Sequence, residues 1–160
     1  MGRTHIGPDA APRVTMPHAG EAAALAALAV LVLALSLSPI TDYDLFLHLK
    51  TGAVVMETGR VPRVDDYSAL ARGRPFIAHE WLSGVLFHAV ERGFGRRGFA
   101  ALGGLTAVTA LLTAAALYGS ARFLGASPAA AAPLLALAMV LAAARLAPRP
   151  HIFSYLLTAL

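Results

Sequence analysis

The sequence predicts an all-α protein: a polytopic transmembrane helix bundle with an amphipathic, partly helical insert between its first two spans. Three observations carry this. The chain has 160 residues, of which 58% are hydrophobic and only 14% charged, whereas ordinary soluble domains carry roughly a quarter charged residues. The charges are segregated. Fifteen of the 22 lie between residues 42 and 97, none lies between residues 22 and 41, and only Arg122, Arg145 and Arg149 occur in the last 63 residues. Finally, the charge-poor stretches are about as long as a helix needs to cross a roughly 30 Å hydrocarbon core.

The first span is predicted over residues 22–40, AAALAALAVLVLALSLSPI. At about 1.5 Å per residue it would reach about 28 Å. A cleaved secretion signal is the rival reading, with Arg3 and Arg13 in the 1–20 tail. The apolar run exceeds the usual length of such a segment of about 7–15 residues. The small-residue site Ser36-Leu37-Ser38 is also followed by Pro39, so an anchor that stays in place is expected.

Residues 42–97 form the insert. Leu45, Leu49, Gly52 and Met56 share one helical face, predicting an amphipathic helix at the membrane interface that Gly59 and Pro62 end. Tyr67–Leu70 and Pro75–Ala78 flank Arg72-Gly73 and could pair as a small hairpin. A second helix is expected over residues 78–92. Its apolar stripe of Trp81, Leu82, Val85, Leu86, Ala89 and Val90 is expected to face the bundle or the lipid boundary, with Glu80, Ser83, Phe87, His88 and Glu91 opposite.

The second span is predicted over residues 99–118, with a small-residue stripe of Gly103, Thr106, Ala110 and Thr113 suited to close packing in lipid and Gly119-Ser120 as its stop. The third is predicted over residues 129–147, with Ser127 as N-cap, Pro128 at the first helical position and Pro148-Arg149-Pro150 at its end. A fourth apolar run starts at Ile152 and covers residues 152–160. A run cut off within a span leads us to expect a piece of a longer multi-span protein.

Composition excludes several classes. High hydrophobicity argues against disorder. The net charge of +4 is not gathered into a Lys/Arg-rich block, so no nucleic-acid partner is expected. The absence of cysteine removes disulfides, thiol catalysis and Cys-ligated metals.

The candidate chemistry lies in the insert. Asp42 and Asp44 directly follow the first span. Such a pair can divide into acid and base roles, or bind a divalent cation through oxygen ligands; equally, the two can cap an interfacial helix. Asp65 and Asp66 form a second acidic pair, which a turn would also explain. His79-Glu80-Trp81 opens like a zinc-helix motif, but position 83 is Ser and not the required His, so a zinc protease is excluded. His48, His79 and His88 could meet in space or simply occupy polar faces. Arg72, Arg74, Arg96 and Arg97 could hold a phosphate in bidentate fashion, or contact lipid headgroups without specificity.

One string extends through the insert. Asp42-x-Asp44-x-x-x-His48-Leu49-x-Thr51-Gly52 is followed by Gly59-x-Val61-Pro62-x-x-Asp65-x-Tyr67-Ser68 and by Gly73-x-Pro75-Phe76-Ile77-x-His79-Glu80-Trp81-Leu82. It resembles the first external loop of a group of bacterial multi-span proteins placed near the GT-C-type membrane glycosyltransferases, among them protein mannosyltransferases and oligosaccharyltransferases. Pro148-Arg149-Pro150-His151-Ile152-Phe153-Ser154 resembles the same group more loosely. The group often has paired tryptophans where this chain has Phe46-Leu47.

The resemblance implies a bacterial inner-membrane protein with a cytoplasmic N-terminus and an extracytoplasmic insert. It implies transfer of a sugar from a polyprenyl-phosphate donor, with Asp42 and Asp44 in the catalytic role and Asp65, Asp66, His79 and Glu80 second. The four insert arginines would hold the donor phosphate. The arginine distribution alone favours the opposite orientation, since few basic residues lie on the side that would be cytoplasmic. The alternative function is non-catalytic: a transporter or an envelope-assembly scaffold.

Overall fold

The computed structural model describes residues 19–160; the predicted cytoplasmic tail, apart from its last two residues, lies outside them. The chain is all-helical, and no strand forms among the described residues. The described residues form six α-helices in order: α1 Ala19–Ser36, α2 Asp44–Thr58, α3 Trp81–Phe94, α4 Gly98–Phe123, α5 Pro128–Leu141 and α6 His151–Ala159. Single 3₁₀ turns, Gly95–Arg97 and Ala143–Arg145, precede α4 and follow α5.

Among the described residues, two helical stretches are long and apolar enough to cross a membrane: α1, and the run Trp81–Phe123 that joins α3 to α4. Helix α4 alone has 26 residues, or about 39 Å at 1.5 Å per residue. Helix α5 is apolar but shorter.

The helix ends follow from local chemistry, and several differ from expectation. Helix α1 stops at Ser36, four residues before the predicted end. Pro39 has no N–H to donate and disfavours helical backbone at Ser38, so residues 37–43 are not helical. Helix α2 ends where predicted, at Gly59, whose φ of 66° lets its N–H reach the Val55 carbonyl at 2.9 Å. Gly119 and Ser120 do not stop α4. It continues to Phe123, and Gly125 at φ 90° closes it through Ala126 N–H to Ala121 O at 2.9 Å. Helix α5 opens as predicted, with the Ser127 hydroxyl accepting from the Ala130 N–H and Pro128 at the first position. It ends at Leu141, not 147, because the backbone tightens into the 3₁₀ turn ahead of Pro148.

Helix α4 is the central element and packs against α1, α3, α5 and α6. One apolar cluster joins α1, α4, α5 and the connection after α5 through Leu28, Val32, Ala110, Ala114, Met139 and Leu146. A second joins the insert to α4 and α6 through Leu45, Phe87, Leu102 and Ile152. Thr106, Thr109 and Thr113 are buried on α4 and return their hydroxyls to carbonyls four residues back. These polar groups therefore need no partner from another helix.

The insert is a pair of helices in backbone contact. A Cβ on Gly84 would lie 2.6 Å from the His48 carbonyl oxygen, and one on Gly52 would collide with the Gly84 carbonyl. Only glycine permits α2 and α3 to approach this closely. The contact also fixes which way α3 faces. Gly84 and Phe87 are buried, while Leu82 is 64% exposed and Leu86 42%. Of the predicted apolar stripe, Trp81, Leu82, Leu86 and Ala89 are exposed, while Val90 packs on the second apolar cluster beside Phe87, a residue expected on the polar side. On α2, Leu45 and Gly52 are buried as expected, but Met56 is exposed.

The hairpin is also shifted. Its pairing is a single antiparallel bridge between Val64 and Pro75, supported by Asp65 N–H to Arg74 O at 2.9 Å and Phe76 N–H to Arg63 O at 2.8 Å. Tyr67–Leu70 belongs to the turn and not to a strand.

Candidate functional site

The non-helical 37–43 segment and the 143–149 connection face each other across a cavity of about 490 Å³. Asp42 and Asp44 line one side; Arg145 and Arg149 line the other. Because Pro39 ends α1 early, Asp42 precedes α2 in non-helical backbone and Asp44 opens the helix. The Asp42 carboxylate accepts the Asp44 N–H at 3.0 Å, satisfying one of the donors that a helix start leaves open.

Arg149 brings the two aspartates together. Its guanidinium donates to both Asp42 oxygens, through Nε and through Nη2, the latter at 2.7 Å. The same Nη2 lies 3.4 Å from Asp44 Oδ2. The Asp42 side chain is only 8% exposed, whereas Asp44 is 65% exposed. The flanking Pro148 and Pro150 restrict the backbone that presents Arg149. The segments around Asp42 and around Arg149, far apart in sequence, therefore meet in space.

Electrostatics separates the aspartates. The hydrogen bond from Arg149 holds the Asp42 carboxyl below the usual carboxylate range against the opposing effect of burial, and raises Arg149 in turn. Asp42 is thus an ionised, fully engaged partner and a poor proton acceptor. Among the described residues Asp44 makes only the longer contact to Arg149, and its side chain is 65% exposed.

His48 extends the cluster. Its Nε2 lies 3.6 Å from Glu80 Oε2, and burial lowers its pKa despite the favourable carboxylates of Glu80, Asp44 and Asp42. Glu80 also lies 3.9 Å from the exposed His79. Of the three histidines considered together, His48 and His79 share Glu80. His88 makes no such pair; its buried Nε2 has no partner among the described residues. Among the described residues no three His, Asp or Glu side chains form a group able to hold a metal ion.

Asp65 and Asp66 lie elsewhere, on a separate cavity with Phe46, Leu47 and Lys50. Asp65 Oδ1 accepts the N–H groups of Tyr67 and Ser68 at 2.8 and 2.9 Å, so this carboxylate builds the turn. Arg72, Arg74, Arg96 and Arg97 are exposed and line no wall of the cavity at Asp42. The cations that do are Arg145 and Arg149. Sequence reasoning placed Arg149 in a suggestive proline-flanked motif but gave it no role, because nothing local links it to a residue 107 positions away.

Compared with models of known families, with curated proteins and with solved structures, the chain matches none.

Proposed function

We propose that the chain is part of a multi-span inner-membrane glycosyltransferase of GT-C type, with the insert on the extracytoplasmic side. It takes a sugar from a polyprenyl-phosphate donor and passes it to a hydroxyl acceptor. The observation that carries this reading is the cavity beyond the end of α1, where one carboxylate is tied to an arginine and a second is left open beside it.

In this reading Asp44 is the base. It takes the proton from the acceptor hydroxyl as that oxygen bonds to the anomeric carbon. The bond from that carbon to the donor phosphate breaks, and its electron pair leaves with the polyprenyl phosphate. Asp42 holds Arg149 in place. Arg145 and Arg149, and not the four insert arginines, face the departing phosphate.

One observation favours the alternative of a non-catalytic scaffold: the Asp42–Arg149 pair fastens the insert to the connection before α6, which is a structural role in itself. The test uses the full-length protein in proteoliposomes with a radiolabelled polyprenyl-phosphate hexose. Asp44→Asn should insert and accumulate normally yet lose transfer by about 10²-fold or more. Transfer at the unmodified rate by Asp44→Asn would remove the base and leave the scaffold reading in front.

A further inference from the structure

We propose that residues 60–77, the arm between α2 and α3, bed onto the bilayer surface. Leu70 and Ile77 enter the apolar edge of the leaflet, and Arg60, Arg63, Arg72 and Arg74 hold anionic phospholipid headgroups. This rests on the membrane-spanning helices and not on the transferase reading.

The arm has a fixed shape although it belongs to no helix. Asp65 N–H donates to Arg74 O at 2.9 Å, and Gly73 N–H to Asp65 O at 2.8 Å. The Asp65 carboxylate accepts the Tyr67 and Ser68 N–H groups, and the Ser68 hydroxyl accepts the Ala71 N–H at 2.8 Å. The Tyr67 and Phe76 rings meet edge-on with 5.5 Å between their centroids. These contacts order a turn that presents Leu70 at 95% exposure. Little further ordering is then needed for the arm to bind a surface.

The two faces of the arm differ. Tyr67 and Phe76 line a cavity with Phe46, Leu47 and Lys50 of α2, so that face is turned to protein. Pro75 and Ile77 alternate with the half-buried Phe76 and Ala78 and are exposed, Ile77 at 81%. The period of two in extended backbone puts them on the other face. Val64, bridged to Pro75, shares that face and is also exposed. A two-stranded arm at a water-facing surface usually turns apolar residues in and polar residues out; here the face away from the protein is aliphatic. Exposed apolar patches of this kind mark sites that protein or membrane covers.

Charge and position favour the membrane. The arm carries four arginines against two aspartates, and Asp65 is engaged by turn amides. All four arginines are exposed, and none has a carboxylate within 4.0 Å among the described residues. An apolar tip flanked by unpaired cations suits a surface that is anionic at its face and apolar beneath, as a bilayer with anionic lipids is. The aliphatic arginine stems let the guanidinium groups stay at phosphate level while Leu70 goes deeper. A second copy of the arm would instead bring like charges together. The bilayer is within reach, because Ile77 lies four residues before Trp81, where the spanning run Trp81–Phe123 begins.

The test reconstitutes the protein in phosphatidylcholine vesicles with and without phosphatidylglycerol. The chain contains no cysteine, so Leu70→Cys, Ile77→Cys and Asp66→Cys each give one site for a bimane label. With phosphatidylglycerol present, bimane at 70 and 77 should be quenched by lipids carrying a nitroxide near the headgroup end of the acyl chain, and shielded from aqueous iodide. Bimane at 66, on the cavity side of the arm, should show the reverse. Arg72→Gln combined with Arg74→Gln should lower lipid quenching at 70 at least about twofold, because each basic residue adds attraction to an anionic surface. Omitting phosphatidylglycerol should do the same. Iodide quenching at 70 and 77 equal to that at 66 would overturn the inference. Shielding from iodide without lipid quenching would overturn it in favour of a protein partner, and dependence on the protein-to-lipid ratio would identify that partner as a second copy. Lipid quenching at 70 that neither the arginine substitutions nor the loss of phosphatidylglycerol changes would overturn the headgroup role of the arginines.

Discussion

Arg149→Met tests whether the Asp42–Arg149 pair holds the insert to the helical core. The substitution keeps an unbranched chain of similar reach and removes the guanidinium. It leaves Asp42, 8% exposed and ionised, with the Asp44 N–H as its remaining hydrogen-bond donor. Breaking a fully buried pair from one side costs about 3–5 kcal/mol. Arg149 is 36% exposed, so water screens the pair and can partly rehydrate the carboxylate. The expected loss is about 2 kcal/mol, in the range for a hydrogen bond to a charged group. Asp42→Asn should cost less, about 1 kcal/mol, because the partly exposed guanidinium can turn to solvent and to Asp44 at 3.4 Å. The two changes should therefore be unequal and coupled by about 1 kcal/mol in a double-mutant cycle. The assay is detergent-induced unfolding of the reconstituted chain, followed by the fluorescence of its one tryptophan, Trp81, at the start of α3. The pH dependence supplies a sign check. A carboxyl whose folded pKa is depressed stabilises above its unfolded value and loses that contribution as pH falls through the folded value. The gap between wild type and Arg149→Met should thus persist at neutral pH and close below the ordinary aspartate value of 3.8. Equal single effects that add within about 0.3 kcal/mol would refute the reasoning.

Three further outcomes are expected. Gly84→Val should prevent α2 and α3 from docking and reduce membrane accumulation sharply, whereas Gly104→Val on α4, with nothing within 4 Å of its Cβ, should accumulate nearly as wild type; equal levels of the two would show that the close approach is dispensable. Phe87→Ala should destabilise by about 3–5 kcal/mol because Phe87 is fully buried, while Leu82→Ala at 64% exposure should cost far less; protease resistance of the two variants in membranes ranks them, and the opposite order would return the apolar stripe to the bundle side. For topology, single cysteines at Ser68 and Ser120 treated with an impermeant thiol reagent in intact cells should label at 68 and not at 120; the reverse pattern would place the insert on the cytoplasmic side, as the arginine distribution favours.

The helical class and the order of elements were legible in the sequence because their causes are local. Charge segregation marks the insert, Gly59 ends α2 by adopting positive φ, and Ser127-Pro128 opens α5. The face that each helix buries was not local. On α3 the 3.6-residue period showed which residues are apolar but not which side meets protein; Gly84 decided that, because the absence of a side chain admits the α2 backbone and turns Phe87 inward. An apolar stripe beside a membrane has two apolar environments to choose from, so periodicity cannot distinguish them. The acidic pair was visible as Asp42-x-Asp44, yet the different surroundings of its two carboxylates were not. That required Arg149, which tertiary packing alone delivers from 107 residues away to one carboxylate more closely than to the other. Ser36 read as part of a span or of a cleavage site. Only the tertiary packing at the end of α1 leaves its hydroxyl buried, with no partner among the described residues.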